Sequence, residues 1–178
     1  MLTLKGSAAA LALAVTIAAA PPAMAEWTTQ NSADVAAINN LLGRYMHALD
    51  TANAEAYAMV FAPDGEMGTG NMAEKGRDHL KQYVVDLRKQ WGLPNDGKEH
   101  WGRTRHIFYN LHIDEIDDTH AAGGTYWQTL IGDPETGTWR PLATGTSKET
   151  YTKIDGEWYI QTRQVTGDPK PVATDGAH

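Results

Sequence analysis

The N-terminal part of the chain carries apolar residues at the spacing of an α-helix. They recur every three or four positions, as Val35, Ile38, Leu41, Leu42, Tyr45 and Leu49. This spacing predicts a helix with one buried face over about Ala33–Leu49, with Ser32 and Asp34 at its cap. Asp50 follows the last apolar position directly. We therefore expect the helix to end on a carboxylate that points into the protein.

Two shorter helices and a loop are predicted before residue 102. A second helix is expected over about Ala54–Val60 and a third over about Gly76–Gln90, which carries apolar residues on one side. Between them, Ala62–Gly65 predicts a turn into a short strand near Glu66–Gly68. The segment Trp91–Trp101 is rich in glycine, proline, asparagine and aspartate, which is typical of a loop.

The C-terminal half of the chain reads as antiparallel strands. Four runs are typical of strands: Thr104–Glu115, Ala121–Ile131, Ala143–Ile154 and Glu157–Val165. Turns are predicted between them at Asp117-Asp118, Asp133-Pro134 and Asp155-Gly156. Because the helices come first and the strands follow, the chain is expected to have an α+β fold.

The first residues have the pattern of a secretory signal. Lys5 supplies a positive charge, Ala8–Ala20 is an apolar run, and Ala23-Met24-Ala25 is a small-residue cleavage site. The apolar run is too short to span a membrane. We expect residues 1–25 to be a signal peptide, 26–168 one domain and 169–178 a flexible tail. The mature protein is then periplasmic or secreted, with no membrane attachment after cleavage.

Composition excludes several classes of function. The chain has no cysteine, so disulfides and thiol chemistry are excluded. With 15 basic and 22 acidic residues the net charge is −7, and no basic cluster is present. This balance disfavours nucleic acid as a partner.

Three segments together carry a resemblance to a known family. They are RYMHALDTANAEAYAMVFAPDG from Arg44 to Gly65, RTRHIFYN from Arg103 to Asn110, and YTKIDGEWYI from Tyr151 to Ile160. In this order and spacing they resemble the SnoaL-like branch of the NTF2-like superfamily, which includes scytalone dehydratase. The resemblance implies an NTF2-like cone, in which three N-terminal helices pack on a curved antiparallel sheet and enclose a pocket. It also implies a homodimer or homotrimer.

The resemblance implies a site at the end of the first helix. In scytalone dehydratase-like members a carboxylate there orients a histidine that moves a proton; Asp50 and His106 fall on these two positions. A second histidine belongs on the following strand, where this chain has Trp127. Ser147 stands where the family has an asparagine. These departures argue against the scytalone dehydration itself. They leave open a related proton-transfer reaction that uses one histidine.

Strand periodicity and residue chemistry extend this site. Phe108 and Asn110 are expected to share a strand face with His106, because side chains alternate with period two. Of Tyr126 and Trp127, one faces the pocket. Tyr45 or Tyr126 could donate a hydrogen bond to a developing phenolate or enolate. Trp101 is interpreted either as part of a lid over the pocket or as a subunit contact.

The leading hypothesis is a cofactor-independent lyase, by elimination or retro-aldol cleavage, or an isomerase. Its substrate would be a small hydroxylated compound, aromatic and of the lignin-derived type. A histidine suits such chemistry because its unperturbed pKa is about 6.5. Two alternatives stay open: a non-catalytic protein that binds a small ligand, and a structural oligomerisation module.

Each candidate residue also has a plainer interpretation. Asp50 could cap the next helix or pair with Arg44, and His106 could be a core histidine bonded to backbone. Glu55 on the second helix could be the functional acid instead. No cofactor is implied, and no metal is predicted, because the other histidines show no ligand spacing: His47, His79, His100, His112 and His120.

Overall fold

The computed structural model describes residues 29–69, 72–94, 96 and 98–170. Within these residues the helices are α1 (Thr29–Asp50), α2 (Ala54–Met59) and α3 (Arg77–Gln90). The predicted signal peptide lies outside the described residues, as does most of the predicted tail. None of the helices in the described ranges has the length and apolar character needed to cross a membrane.

One six-stranded sheet forms the second layer. Its strands are β1 (Phe61–Thr69), β2 (Met72–Lys75), β3 (Thr104–Ile116), β4 (His120–Gly132), β5 (Trp139–Ile154) and β6 (Glu157–Gly167). They lie in the order β2-β1-β6-β5-β4-β3. All neighbours are antiparallel except β1 and β6, which are parallel. The sheet curves around the helices, so the predicted α+β architecture is confirmed.

The segment around Ala62–Gly65 differs from the prediction. It lies inside β1 rather than in a turn, and β2 was not predicted at all. The register of β1 against β6 shifts between Phe61 and Glu66. A Cβ at Gly65 would stand 2.9 Å from the backbone oxygen of Ile160. Proline and glycine therefore mark an irregular strand here, where the backbones approach closely, rather than the end of a strand.

The core lies between α1 and the sheet. The apolar face of α1 is buried as predicted, and it packs with side chains of α2, α3, β1 and β6: Tyr57, Phe61, Leu80, Val84 and Ile160. Removing this much apolar surface from water is the main term that stabilises the fold. Because α1 lies across the concave side of the sheet, its last turn faces the start of β3.

Asp34 is not the cap of α1, because the helix already begins at Thr29. Its buried carboxylate instead fastens α1 to the β5–β6 hairpin. Oδ1 accepts hydrogen bonds from Lys153 Nζ at 2.7 Å and Trp158 Nε1 at 2.9 Å, and Oδ2 accepts from Gln30 Nε2 at 3.1 Å. Burial raises the pKa of Asp34, but these hydrogen bonds outweigh it and hold the pKa below its usual 3.8.

Replacing Asp34 with alanine is expected to lower the free energy of unfolding at pH 7 by about 3 kcal/mol, because the buried Trp158 Nε1 and the partly buried Lys153 ammonium lose their acceptor. Because the pKa of Asp34 is lower in the folded protein than in the unfolded chain, the ionised carboxylate stabilises the protein above pH 3.8. This stabilisation is lost as the pH falls through the pKa of Asp34 in the folded protein. The difference in free energy of unfolding between wild type and Asp34→Ala should therefore become smaller below about pH 4. Urea unfolding at pH 7 and pH 3 measures both effects.

The matched control is Asp86→Ala on α3, where the aspartate is exposed. It should change the free energy of unfolding by less than about 0.5 kcal/mol. Equal stabilities for Asp34→Ala and wild type at pH 7 would contradict the role given to the carboxylate.

Candidate active site

The end of α1 turns sharply and keeps Asp50 inside the protein. Thr51 N donates to His47 O at 2.9 Å, and Ala52 takes a left-handed conformation with φ 50°. The side chain of Asn53 then accepts from Ala56 N at 3.0 Å and caps α2. Asp50 is therefore not the α2 cap that the plainer interpretation proposed. It is 4% exposed.

Asp50 binds His106 through both carboxylate oxygens. Oδ1 lies 2.6 Å from His106 Nδ1, and Oδ2 accepts from the His106 backbone N at 2.8 Å. Because a carboxylate can only accept, Nδ1 carries the proton in the neutral imidazole and Nε2 carries the lone pair. The two contacts fix the position of the strand and the rotation of the ring. The expected meeting of these residues is present in the structure, and it leaves Nε2 as the free ring nitrogen.

A loop brings β3 to the end of α1. Arg88 on α3 donates from Nη1 to Ala52 O at 3.0 Å and from Nη2 to Lys98 O at 2.9 Å. Gly102 N donates to Asp50 O at 2.7 Å. The chain on either side of the Asp50–His106 contact is thereby tied to α3. Glu55 lies away from this contact, on the surface, where it pairs with Lys81.

A pocket of about 310 Å³ opens beside His106. Its walls are largely apolar and aromatic, with Met46, Leu49, Met67, Leu87, Trp91, Leu142 and Val165 among them. A few polar side chains also face it: His106, Thr104, Thr129, Tyr83 and Arg163. Predominantly apolar walls with few polar groups are typical of small-molecule sites.

Tyr45, Trp127 and His106 are the predicted site residues that line this pocket. Tyr45 lies on α1, on the same helix face as Leu49. Trp127 forms part of the sheet wall, and its Nε1 donates to Thr146 O at 3.0 Å. An indole thus fills the position where the resemblance places a second histidine. The pocket holds one imidazole among its described lining residues.

Asn110 and Tyr126 do not face the pocket. The pairing of β3 with β4 shifts between Tyr109 and His112, and Asn110 has φ 55° in the resulting bulge. The inward alternation that begins at His106 therefore passes to Leu111, and Asn110 is exposed. Tyr126 is 49% exposed and stacks on Tyr109 on the outer face of the sheet. Their assignment to the pocket is wrong.

Three further candidates, Phe108, Ser147 and Trp101, are not among the residues that line the pocket. Phe108 packs against the core. Ser147 is buried and bonded to Glu149 and to Thr125. Trp101 is 57% exposed, meets the His47 ring edge-on and lies under the Arg105 guanidinium. Whether it belongs to a lid or a subunit contact stays a prediction.

Arg163 and Glu149 form a buried pair that the sequence reasoning did not single out. Arg163 Nη1 donates to Glu149 Oε1, which also accepts from Ser147 Oγ at 2.5 Å and Thr125 Oγ1 at 3.2 Å. Arg163 lines the pocket, and its guanidinium lies 4.9 Å from the centre of the Tyr45 ring. Strict alternation from buried Ile160 would turn Arg163 outward, so strand periodicity gave no signal for it.

Tyr83 supplies a hydroxyl to the same pocket. Burial raises the pKa of Tyr83, and the neighbouring Tyr45 and Glu74 raise it further. Its hydroxyl therefore stays protonated near neutral pH and can donate a hydrogen bond. Within the described part of the chain, no three His, Cys, Asp or Glu side chains are grouped as metal ligands.

Comparison with known proteins places the chain in a family. The SnoaL-like domain matches residues 30–164. The chain belongs to the SnoaL-like family. This family includes cofactor-free polyketide cyclases, isomerases and dehydratases, and its members are often cofactor-free enzymes. A search of the curated proteins found no match.

Solved structures similar to this SnoaL-like protein show the same fold. Rv3472 from Mycobacterium tuberculosis, of unknown function, is 23% identical over 78% of this chain and 74% of its own, with a TM-score of 0.67. An NTF2-like protein with a cystatin-like fold from Novosphingobium aromaticivorans is 17% identical over 80% and 86%, with a TM-score of 0.66. ActVI-ORFA from Streptomyces coelicolor is 20% identical over 75% and 97%, with a TM-score of 0.63.

The geometry of this SnoaL-like site suits proton transfer. A neutral imidazole with Nδ1 fixed on a buried carboxylate presents a base at Nε2, and after protonation the same atom is an acid. Apolar walls exclude water from the reacting groups and strengthen the electrostatic interactions among them.

Proposed function

We propose that this SnoaL-like protein is a cofactor-independent lyase or isomerase that acts on a small hydroxylated aromatic compound. His106 is its general acid and base, and Asp50 orients His106. The observation that carries the proposal is the contact of His106 Nδ1 with buried Asp50 beside an apolar pocket. That arrangement leaves one ring nitrogen free to exchange a proton with a bound molecule.

The same base serves the three reaction types that the proposal includes. In a retro-aldol cleavage, Nε2 takes the hydroxyl proton, the carbon–carbon bond breaks, and the resulting carbanion takes the proton back. In an elimination, Nε2 takes a proton from carbon and returns it to the departing hydroxyl, which leaves as water. In an isomerisation, the proton returns to a different carbon. Each of these reactions regenerates neutral His106 and consumes no cofactor.

The pocket walls favour an aromatic substrate. Trp91, Trp127, Tyr45 and Tyr83 all line the pocket, and flat rings stack or pack edge-on against such side chains. A volume of about 310 Å³ suits a single substituted ring. Tyr83 or Tyr45 would donate a hydrogen bond to a developing phenolate or enolate. This role was first expected of Tyr45 or Tyr126.

Export and self-association belong to the same proposal. The mature chain would begin at Glu26 and act in the periplasm or outside the cell. A homodimer or homotrimer would cover the outer face of the sheet, where Ile107, Tyr109 and Tyr126 are exposed. Exposed apolar side chains on one face favour such contacts.

Purified protein from Glu26 onward should turn over members of a panel of hydroxylated aromatic monomers and dimers without added cofactor. Product formation followed by chromatography tests this expectation. Absence of turnover combined with ligand-dependent thermal stabilisation would reject the enzyme and favour a binding protein. Absence of both would favour a structural oligomerisation module.

A further inference from the structure

His106 lies on the free edge of the sheet, opposite Thr129. Its strand β3 is the last in the strand order, and its backbone N donates to Asp50 Oδ2 rather than to β4. Opposite residues of an antiparallel pair alternate between hydrogen-bonded and non-hydrogen-bonded pairs. The pair of His106 with Thr129 of β4 is therefore of the non-hydrogen-bonded kind, in which the Cα atoms lie about 4.5 Å apart and the side chains are closest.

Thr129 thus stands directly beside His106 on the inner face of the sheet. Both side chains line the pocket. On its other side Thr129 pairs with Ala143 of β5, which also lines the pocket and carries only a methyl group. Along this row of three residues, the hydroxyl of Thr129 is the polar group next to the imidazole.

The hydroxyl of Thr129 opens into the pocket. Among the described residues it has no hydrogen-bond partner, yet its oxygen is not completely buried. Because the residue is only 6% exposed and lines the pocket, the surface that remains to this oxygen faces the pocket. Thr104 differs, since its hydroxyl is completely buried. Thr129 therefore offers a free hydroxyl donor to a bound molecule, and Thr104 does not.

The two ring nitrogens of His106 point to opposite sides. Nδ1 is bound to Asp50, at the free edge of β3. Nε2 therefore points away from that edge, toward the side on which Thr129 lies. The Cβ atoms of directly opposite residues are about 4.5–5.5 Å apart, so one ligand oxygen can meet both Nε2 and the hydroxyl of Thr129.

We propose that Thr129 binds the substrate hydroxyl that exchanges its proton with His106. This assignment rests on the proposed function of His106. When Nε2 takes the proton, the O–H bond breaks, an N–H bond forms and the electron pair stays on the oxygen, which accepts a hydrogen bond from Thr129 Oγ1. The return of the proton from Nε2 reverses the step. This hydrogen bond is distinct from that of Tyr83 or Tyr45 to charge that develops elsewhere on the substrate.

Bound 4-nitrophenol reports on this hydroxyl, because its anion absorbs at a longer wavelength than its neutral form. Valine keeps the branched shape of threonine and removes the donor. In Thr129→Val the pKa of the bound probe should therefore rise by roughly one unit, the worth of one hydrogen bond to an anion. Thr129→Ser retains the donor and should return this pKa to near the wild-type value. The affinity for 4-nitrotoluene, which lacks the hydroxyl, should stay within about 2-fold in both variants.

The matched control is Thr146→Val, at an exposed threonine on the outer face of β5. It should leave the pKa of the bound probe unchanged. An unchanged pKa in Thr129→Val, or a rise that serine does not reverse, would overturn the proposal. Equal losses of affinity for 4-nitrophenol and 4-nitrotoluene in Thr129→Val would overturn it as well, because they would show that Thr129 only shapes the wall.

The fate of the proposed function is read separately. In the His106→Gln protein, addition of Thr129→Val should still raise the pKa of the bound probe. On a substrate of the enzyme, Thr129→Val alone should lower kcat by about 10²-fold, as for loss of one donor to a developing oxyanion. If no compound is turned over but the pKa depends on Thr129, the hydroxyl site stands and the enzyme is rejected. If turnover depends on His106 while Thr129 affects neither the pKa nor kcat, the hydroxyl site is rejected and the enzyme stands.

Discussion

Replacing His106 with glutamine is expected to lower kcat/KM by roughly 10³-fold on any substrate of the wild-type protein, because general acid–base catalysis contributes about 10²–10⁴-fold. Glutamine has about the length of histidine, and the backbone N of residue 106 still donates to Asp50 Oδ2, so the pocket should persist. It has no nitrogen that can accept and return a proton near neutral pH. The loss should therefore fall on kcat, with KM little changed.

The matched control is His112→Gln on the same strand. The side chain of His112 is 60% exposed and lies beyond the bulge at Asn110. Its replacement should leave kcat/KM within about 2-fold of wild type, as for an exposed residue away from the site. Turnover that survives in folded His106→Gln would move the acid–base chemistry to another group of the pocket.

Most of the fold could be predicted from the sequence, because there the local helix, strand and turn propensities agree with the tertiary packing. The apolar spacing of α1 matches the face that it buries, and the aspartate and glycine turns separate the strands where expected. The segment around Pro63 and Gly65 was misread, because turn residues there form an irregular strand. Pairing with β6 determines that this segment forms a strand rather than a turn, and the local sequence does not encode that pairing.

The site was predicted in part, and two bulges explain much of the remainder. Strict alternation from His106 leads to Asn110, but the bulge there turns the side chain outward. On β6, Gln161 is skipped in the pairing with β5, so Ile160 and Arg163 both face inward. A bulge is a property of paired strands, and strand periodicity alone does not reveal it. Because of this shift, alternation counted from Ile160 places Arg163 on the wrong face of the sheet.

Asp50 and His106 were placed together by a family resemblance rather than by spacing. They lie 56 positions apart in sequence, and no local pattern links them. Their contact depends on the loop tied to Arg88 and on the curvature that brings β3 to the end of α1. Sequence chemistry could nominate both residues, while only the folded chain supplies the 2.6 Å contact.

Replacing Asp50 with asparagine is expected to lower kcat by roughly 10²–10⁴-fold while the protein stays folded. The backbone N of His106 requires an acceptor, so the amide oxygen should take that contact and the NH₂ group should face Nδ1. Nδ1 must then accept, and the neutral ring carries its proton on Nε2, where the lone pair is needed. Asp50 thus acts by selecting the tautomer as well as by holding the ring.

Nitrogen-15 NMR of the His106 imidazole separates this mechanism from simple loss of structure. Wild type should show the Nδ1-protonated neutral tautomer and Asp50→Asn the Nε2-protonated one, with otherwise similar spectra. Asp114→Asn, an exposed aspartate on β3, is the matched control and should change neither tautomer nor kcat. An unchanged tautomer with full activity in Asp50→Asn would reject the orienting role. A changed tautomer with full activity would show that another residue takes the proton from the substrate, because an imidazole protonated at Nε2 cannot act there as a base.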